Sequence, residues 1–185
     1  FLESFPELGV KTKDAFEVLY NSKLGEVAII LSNGLKDTTT NVVKMLKYLI
    51  SSSSPYDILE ENTKNFSLHQ RSKFIKEKYD QILLKAKTVA RASKKIVFFK
   101  YSGDLSVSAE ISNQIKYLFP GKIIVVAYCN GSKANLSLRG KNVKKYFLKS
   151  ISEFNNATGG GHNDAVGGQL QVDDWDEFKK KLEEA

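Results

Sequence analysis

The pattern of hydrophobic and polar positions in the first sixty residues predicts three short elements. Helical spacing covers "KTKDAFEVLYNSK", and the continuous apolar run "EVAIIL" indicates a strand. Helical spacing returns at "NVVKMLKYLI", after threonines that supply a helix N-cap. Asn33-Gly34 is a turn signal, and "SSSSPYD" at 51–57 marks a break. We therefore expect helix, strand and helix in this segment.

A long helix is predicted between residues 60 and 94. Its apolar positions alternate in spacing between four and three residues, which places on one face Ile75, Tyr79, Ile82, Ala86 and Val89. Eleven Lys and Arg residues lie between Glu61 and Lys100, against three acidic residues. We expect most of these lysines to be solvated.

Beyond residue 95, short apolar runs alternate with helical spacing. The predicted strands are "KIVFFKY", "KIIVVAYC", "KANLSLR" and "QLQV", and the predicted helices are "SVSAEISNQIKYLF", "NVKKYFLKSISEF" and "DDWDEFKKKLEEA". Asn130-Gly131 predicts a hairpin turn, and Asp174 with Glu177 predicts a cap for the last helix. The chain is predicted to be α/β, with a small mixed sheet flanked by helices, preceded by a long connecting helix and an α/β N-terminal segment.

Composition and charge narrow the class of protein. The formal net charge of +7 suits an anionic partner. The single cysteine, Cys129, excludes a disulfide framework and a cysteine-built zinc site, and its apolar surroundings fit a reducing compartment. No apolar stretch approaches the roughly 20 residues of a membrane span, and the N-terminus lacks the basic start of a signal peptide, so we expect a cytoplasmic protein. The chain does not begin with Met, which suits a processed chain or part of a longer one.

Several catalytic motifs are missing from the sequence. It contains no Gly-Lys-Ser/Thr phosphate-binding loop, no Gly-x-Gly-x-x-Gly after a strand and no Gly-x-Ser-x-Gly. Its two histidines, His69 and His162, are far apart, so metal-ligand spacing is absent. We therefore expect no catalytic residue, no metal ligand and no cofactor in this chain.

One window is strongly basic. From Ile111 to Ser152 there are eight Lys and Arg residues and no Asp or Glu. Within it, Ser137 and Arg139 have the two-residue spacing that places both on one face of a strand. A guanidinium beside a hydroxyl suits a phosphate, and an exposed strand face with a surface arginine is the alternative.

The segment "ATGGGHNDAVGG" at 157–168 is the richest in glycine. Successive glycines let a bound group approach the backbone and let N–H groups converge on an anion. If "HNDAV" begins a helical turn, its free N–H groups point at the same place, and His162 adds a donor. The alternative is a flexible loop with an exposed His162.

"TGGGHNDAVGG" resembles the Gly-Gly-Gly-His-x-x-Ala-x-Gly signature of the C-terminal, DHH-associated domain of RecJ-like phosphoesterases. "SLR" stands where that family has a Ser-x-Arg element, and "ILSNGLKDTTTNVVKMLKYLI" is similar to the segment that closes the family's catalytic domain. The resemblance implies a remnant of the catalytic domain at 1–58, a long basic connecting helix at 59–94 and the DHH-associated nucleic-acid-binding domain at 95–185.

Carried over by residue, the resemblance implies that the phosphate of a nucleic acid is contacted by Gly159, Gly160, Gly161, His162, Ser137 and Arg139. Ala165 and Gly167 match the small positions that support this loop. The family's catalytic domain needs an Asp-His-His motif and further aspartates to hold manganese, and this chain has neither. We therefore expect no nuclease activity of its own, and manganese only where a longer parent carries the catalytic domain.

Three interpretations remain open. The first is a non-catalytic RecJ-like subunit that binds single-stranded DNA in replication, with GINS and the MCM helicase as partners; some archaeal replication proteins resemble this, and such a protein would associate with the nucleoid. The second is the C-terminal substrate-binding part of a manganese-dependent RecJ-type exonuclease or oligonucleotide phosphoesterase. The third is similarity to the C-terminal region of alanyl-tRNA synthetases, where the motif usually lacks the histidine, so His162 argues against it.

Overall fold

The computed structural model describes residues 3–9 and 11–185 and places eight α-helices and five strands in them. The helices α1 to α8 span Ala15–Asn21, Lys23–Gly34, Thr39–Ser51, Tyr56–Leu59, Phe66–Ala92, Ser108–Leu118, Val143–Ile151 and Trp175–Glu184. The strands β1 to β5 span Ile96–Ser102, Ile123–Asn130, Lys133–Arg139, Thr158–His162 and Ala165–Gln171. Two 3-10 turns lie at Pro6–Leu8 and Val172–Asp174. The chain divides into two compact units, Phe1–Lys78 and Tyr79–Ala185.

The first unit consists of helices and their connections, with no strand among its described residues. Its core is formed by side chains from α2, α3, α4 and the start of α5: Val27, Ile30, Met45, Ile58 and Leu68. Thr38 caps α3 as the threonine run predicts, since its hydroxyl accepts from the Asn41 N–H at 3.4 Å. The predicted strand and the predicted α/β character of this segment are wrong.

The "EVAIIL" run belongs to α2 for two local reasons. Ser22 caps the helix, because its hydroxyl accepts from the Gly25 N–H at 3.0 Å. Val27 and Ile30, three residues apart, are buried, whereas Glu26 and Ala28 are exposed. A short apolar run is compatible with a strand and with a buried helix, and here the cap and the helical spacing decide for the helix.

The predicted long helix is confirmed as α5. It begins at Phe66 rather than near residue 60, because Asn62 and Asn65 form a turn in which the Asn62 N–H donates to Asn65 Oδ1 at 2.7 Å. Of the predicted stripe, Ile75 and Ala86 are buried, whereas Tyr79, Ile82 and Val89 are only half-buried. The buried face is completed by Leu83 and Ala90. The interpretation of 1–58, 59–94 and 95–185 as remnant, connector and binding domain stays a prediction.

The second unit contains a five-stranded mixed sheet of order β1-β2-β3-β5-β4. β1 and β2 run parallel, joined through α6, and the other neighbouring pairs are antiparallel. The predicted hairpin joins β2 to β3, with its turn at Gly131-Ser132, one residue beyond the predicted Asn130-Gly131. The mixed α/β prediction is therefore confirmed, with the glycine segment adding a strand that the sequence pattern does not predict.

The two faces of the sheet are covered to different extents. One face packs against α7 and α8, in a core that includes Leu138, Phe147, Trp175 and Phe178. On the other face α6 contacts β2 and β3. The β4–β5 side of this second face carries Gly160, Gly167 and His162.

The last helix begins differently from the prediction. Asp174 has helical dihedral angles, and its side chain makes no capping hydrogen bond, because the 3-10 turn at Val172–Asp174 runs directly into α8. The capping box with Glu177 is therefore absent. Throughout residues 3–9 and 11–185, every helix is too short or too polar to cross a membrane.

Candidate nucleic-acid interface

The glycine segment folds as a β-hairpin. β4 pairs antiparallel with β5, from Thr158 opposite Gln169 to His162 opposite Ala165, and Asn163-Asp164 forms the turn. "HNDAV" therefore forms neither a helical turn nor a flexible loop, because its ends are paired as strands across the turn.

The hairpin tip is fastened to the connection between β3 and α7. The Gly140 N–H donates to the Asp164 carbonyl at 3.0 Å, and the Lys144 N–H donates to the Asn163 carbonyl at 3.0 Å. The Asn142 N–H donates to Asp164 Oδ1 at 2.8 Å. The glycines therefore lie on a paired strand whose tip is held in place, and not on a free loop.

Two of the glycines lie on the α6 face of the sheet. Gly160 is opposite Gly167, and Gly167 is opposite Ser137 on β3. Opposed residues in antiparallel strands point to the same face, so these residues form one row across the sheet. We call Gly160 and Gly167 the glycine row.

The glycines on the opposite face have a packing role. A Cβ at Gly159 would lie 2.6 Å from Phe147 Cε1 and 2.6 Å from the Gly167 carbonyl oxygen, and one at Gly168 would also clash with the Phe147 ring. Gly161 has φ 146°, a backbone conformation that favours glycine. These three glycines are required by α7 and by the hairpin backbone, whatever the hairpin binds.

Packing does not require glycine at either position of the glycine row. Among the described residues, no atom lies within 4 Å of an ideal Cβ at Gly160, and the nearest at Gly167 is the Leu136 carbonyl oxygen at 3.9 Å. Glycine weakens a strand interior, and where packing does not demand it, it often marks a place where a ligand approaches the backbone closely. The row is thus an open strip of backbone bordered by α6.

The middle of β3 connects this strip to the start of α6. Ser137 is 7% exposed, and its Oγ lies 3.1 Å from the Oγ of Ser108, the first residue of α6. Val107, the N-cap residue of α6, makes no capping hydrogen bond through its side chain. The start of α6, with the positive end of its helix dipole, therefore lies beside Ser137, next to Gly167 of the glycine row.

Two tyrosines, the half-buried Tyr101 and the buried Tyr128, hold the loop that leads into α6. The Val107 N–H donates to the Tyr101 hydroxyl at 2.8 Å, and the Tyr128 hydroxyl donates to the Gly103 carbonyl at 2.8 Å. Burial raises the pKa of Tyr101 to about 12. The two hydroxyls therefore fix the loop that precedes the helix start.

Arg139 lies one row further along the same face. Its Nε donates to Asn113 Oδ1 on α6 at 2.6 Å, and its Nη1 donates to the carbonyls of Leu138 at 2.8 Å and Val166 at 3.4 Å. Nη2 has no partner among the described residues. Burial lowers the pKa of the guanidinium, but an arginine keeps its charge in proteins. The guanidinium is therefore held in place by Asn113 and by two backbone carbonyls.

Ala165 and His162 complete the Arg139 row, because Arg139 is opposite Ala165 and Ala165 is opposite His162. His162 is exposed and lies two strand spacings, about 10 Å, from Arg139. The small side chain of Ala165 leaves the space between the two side chains open. The predicted residues Gly160, Gly167, Ser137, Arg139, Ala165 and His162 thus share one face, while Gly159 and Gly161 belong to the other.

Sequence reasoning missed two members of this face. Ser108 bonds to Ser137, and Asn113 orients Arg139, both from α6. Nothing in the local sequence of α6 distinguishes these side chains from ordinary polar residues of a helix. Their contacts depend on the crossover that returns α6 across β2 and β3.

The site and its surroundings offer no metal-binding arrangement. In the part of the chain that the structure describes, no group of three or more His, Cys, Asp or Glu side chains is placed to hold a metal ion.

Comparison with solved structures shows the fold. The chain is similar to RecJ from Thermus thermophilus in complex with Mg²⁺, with 17% identity and a TM-score of 0.61 over 98% of this chain and 27% of that chain. A second similar structure is exonuclease RecJ bound to manganese, with 13% identity and a TM-score of 0.61 over 93% of this chain and 41% of that one. A third is the pGpG-specific phosphodiesterase PggH from Vibrio cholerae, with 16% identity and a TM-score of 0.55 over 92% of this chain and 60% of that one.

The chain thus spans from about a quarter to three fifths of the length of these proteins. No curated protein sequence matches it. The model of the DHHA1 domain matches residues 91–185, just over half of the chain, including the whole sheet and the hairpin. The chain therefore belongs to the DHHA1 domain family.

Proposed function

We propose that this chain binds the phosphate backbone of single-stranded DNA along the glycine row. The observation that carries the proposal is the open strip at Gly160 and Gly167, with the free Nη2 of Arg139 on one side and the start of α6 beside it. A phosphate oxygen laid on bare backbone comes within reach of a fixed guanidinium and of a helix N-terminus.

The charge of the second unit supports an anionic ligand. Residues 79–185 contain seventeen Lys and Arg against eleven Asp and Glu, a net of +6 out of the chain's +7. Such an excess attracts a polyanion from a distance without selecting a sequence. The choice of single-stranded DNA rests on the resemblance to RecJ-like proteins.

The wider role proposed is that of a non-catalytic scaffold in DNA replication. In this proposal, residues 1–58 are the remnant of a catalytic domain, and the partners are the GINS complex and the MCM helicase of an archaeal replisome. The support is the resemblance together with the missing Asp-His-His motif. Gel filtration of the purified chain mixed with GINS from the same organism tests the partnership, and separate elution of the two would contradict it.

A second candidate is the substrate-binding part of a manganese-dependent RecJ-type exonuclease or oligonucleotide phosphoesterase. The observation that favours it is the length of the similar RecJ and PggH chains, which extend well beyond the part matched here. In that case residues outside this chain hold the metal, and the glycine row holds the phosphate next to the scissile bond.

The decisive experiment is a titration of a fluorescent single-stranded oligonucleotide by anisotropy at two salt concentrations, with a manganese-dependent nuclease assay on the same samples. Salt-sensitive binding without cleavage is the expected result. Cleavage that survives repurification and requires manganese would contradict the non-catalytic role. Absence of binding at low salt would remove nucleic acid as the ligand.

A further inference from the structure

A cross-strand amide pair lies next to the glycine row on the same face. Asn135 on β3 is opposite Gln169 on β5, and Gln169 is opposite Thr158 on β4. Asn135, Gln169 and Thr158 lie two residues along their strands from Ser137, Gly167 and Gly160, respectively. Side chains two residues apart on a strand point to the same face of the sheet. The face therefore presents an amide row, the open glycine row, and the row of Arg139 and His162.

The two amides are joined by one hydrogen bond and keep two groups free. Gln169 Nε2 donates to Asn135 Oδ1 at 2.8 Å. In the described residues, Asn135 Nδ2 and Gln169 Oε1 have no protein partner, and both side chains are half-buried. The bond between the two amides thus keeps the Asn135 Nδ2 donor and the Gln169 Oε1 acceptor next to each other.

The spacing relates this pair to the proposed phosphate position. Adjacent rows on one face of a strand are roughly 7 Å apart, twice the rise per residue. A phosphate over the glycine row therefore has the amide pair within the length of one nucleotide. An adjacent donor and acceptor complement the same pattern on a base edge, and a sugar 2′-hydroxyl also donates and accepts.

We propose that Asn135 and Gln169 contact the nucleoside attached to the phosphate that the glycine row holds. This inference rests on the proposed function of that row. The amide pair supplies a selectivity that a backbone-only site lacks, because it recognises either the base edge or the sugar 2′-hydroxyl. The contacted group is either the base edge or the 2′-hydroxyl, and the choice of oligonucleotides separates the two.

The test compares binding of four variants of the whole chain with that of the wild type. Asn135→Ala and Gln169→Ala remove one amide each, and Gln169→Leu keeps bulk at the same place. Gln81→Ala, at an exposed glutamine of α5, is the matched control. Each protein is titrated with three short oligonucleotides of equal length: single-stranded DNA, RNA, and DNA made entirely of abasic units. Circular dichroism melts check that each variant is folded.

The expected result is a loss of about five- to tenfold in affinity for intact oligonucleotides in the amide variants, with unchanged affinity for the abasic strand and an unchanged salt slope. A loss on DNA and RNA alike assigns the contact to the base, and a loss on RNA alone assigns it to the 2′-hydroxyl. Gln81→Ala binds all three oligonucleotides like the wild type.

Two other outcomes would overturn the inference. Equal losses on intact and abasic strands, or no loss on any strand, would show that the amides contact no nucleoside while leaving phosphate binding in place. A wild-type protein that binds none of the oligonucleotides would overturn the proposed function of the glycine row as well.

Discussion

Neighbouring glycines of the hairpin differ in what a methyl group would meet. At Gly159 the methyl group would be driven against the Phe147 ring, whereas at Gly160 it would meet no atom of the described chain. Substitution of Gly159 therefore tests packing, and substitution of Gly160 tests ligand binding, within one strand.

We predict that Gly160→Ala leaves the protein folded but weakens binding of single-stranded DNA by about tenfold, ~1.4 kcal/mol. The added methyl group separates the phosphate from the backbone, while replacing glycine in a strand stabilises the fold by up to about 1 kcal/mol. Anisotropy titration and urea unfolding measure the two effects.

Gly159→Ala is the control for that prediction, and it is expected to cost about 1–3 kcal/mol of stability through overpacking against Phe147. If Gly160→Ala binds DNA like the wild type, the open strip does not contact the ligand.

Arg139 carries the second prediction at this scale. Arg139→Ala should weaken binding on all DNA sequences and reduce the slope of log affinity against log salt by ~0.7, the value for one phosphate contact to a single strand. Asn113→Ala, which removes the 2.6 Å bond to Arg139 Nε, should weaken binding while keeping the slope, because the charge remains. An unchanged slope in Arg139→Ala would remove this residue from the site.

At the scale of elements, the position of α6 depends on the loop that precedes it. Tyr101 fixes that loop through the Val107 N–H, and burial raises its pKa to about 12. A phenol whose pKa is higher in the folded state than its ordinary value of 10 favours the folded state only while it stays protonated. Its contribution is fully present below pH 10 and disappears as the pH rises toward 12.

We therefore predict that the wild-type protein loses stability between about pH 10 and 12 partly through Tyr101, and that Tyr101→Phe loses less over the same interval. Urea unfolding at a series of pH values, with tyrosinate absorbance followed in parallel, makes the measurement. Identical pH profiles for the two proteins would show that Tyr101 titrates as it does in the unfolded chain.

The elements also show what sequence patterns can and cannot establish. The spacing of Val107, Ile111, Ile115 and Leu118 predicts α6, because an amphipathic helix is defined by its own sequence. The first three are buried, whereas Leu118, at the end of the helix, is exposed. The sequence does not predict β4, since three successive glycines have little strand preference and become a strand only by pairing with β5 and packing on Phe147.

The candidate site divides in the same way. Two-residue spacing is enough to place Ser137 and Arg139 on one face, as the sheet register confirms. The hydrogen-bond partners of Ser137 and Arg139 are Ser108 and Asn113, which both lie on α6. The pairing of Asn135 with Gln169 depends on the register of two strands whose residues are 34 positions apart in sequence. Such contacts are set by tertiary structure and leave no periodic signal.

At the scale of the whole molecule, the positive charge is unevenly distributed. The unit Tyr79–Ala185 carries a net of +6, while residues 1–78 carry +1. The second unit also has its own core and all five strands. We therefore expect the proposed affinity for an anionic polymer to reside there.

We predict that a fragment of residues 79–185 folds and binds single-stranded DNA with nearly the full salt slope, because the phosphate contacts stay with it. Residues 1–78 alone should bind at least about tenfold more weakly. Circular dichroism and anisotropy of the two fragments test this. A folded 79–185 fragment that fails to bind, where the whole chain binds, would place essential contacts in the first unit.

The glycines on the two faces of the hairpin are also expected to tolerate substitution differently during evolution. Under selection for a stable fold alone, Gly159 and Gly168 would be retained because Phe147 excludes any larger residue, while Gly160 and Gly167 would be free to drift to residues that favour strands. Under selection for binding, all four would be retained together. Pooled mutagenesis sorted first for expression and then for retention on an oligonucleotide column would separate these constraints position by position, and variation at Gly160 should survive the first sort and disappear in the second.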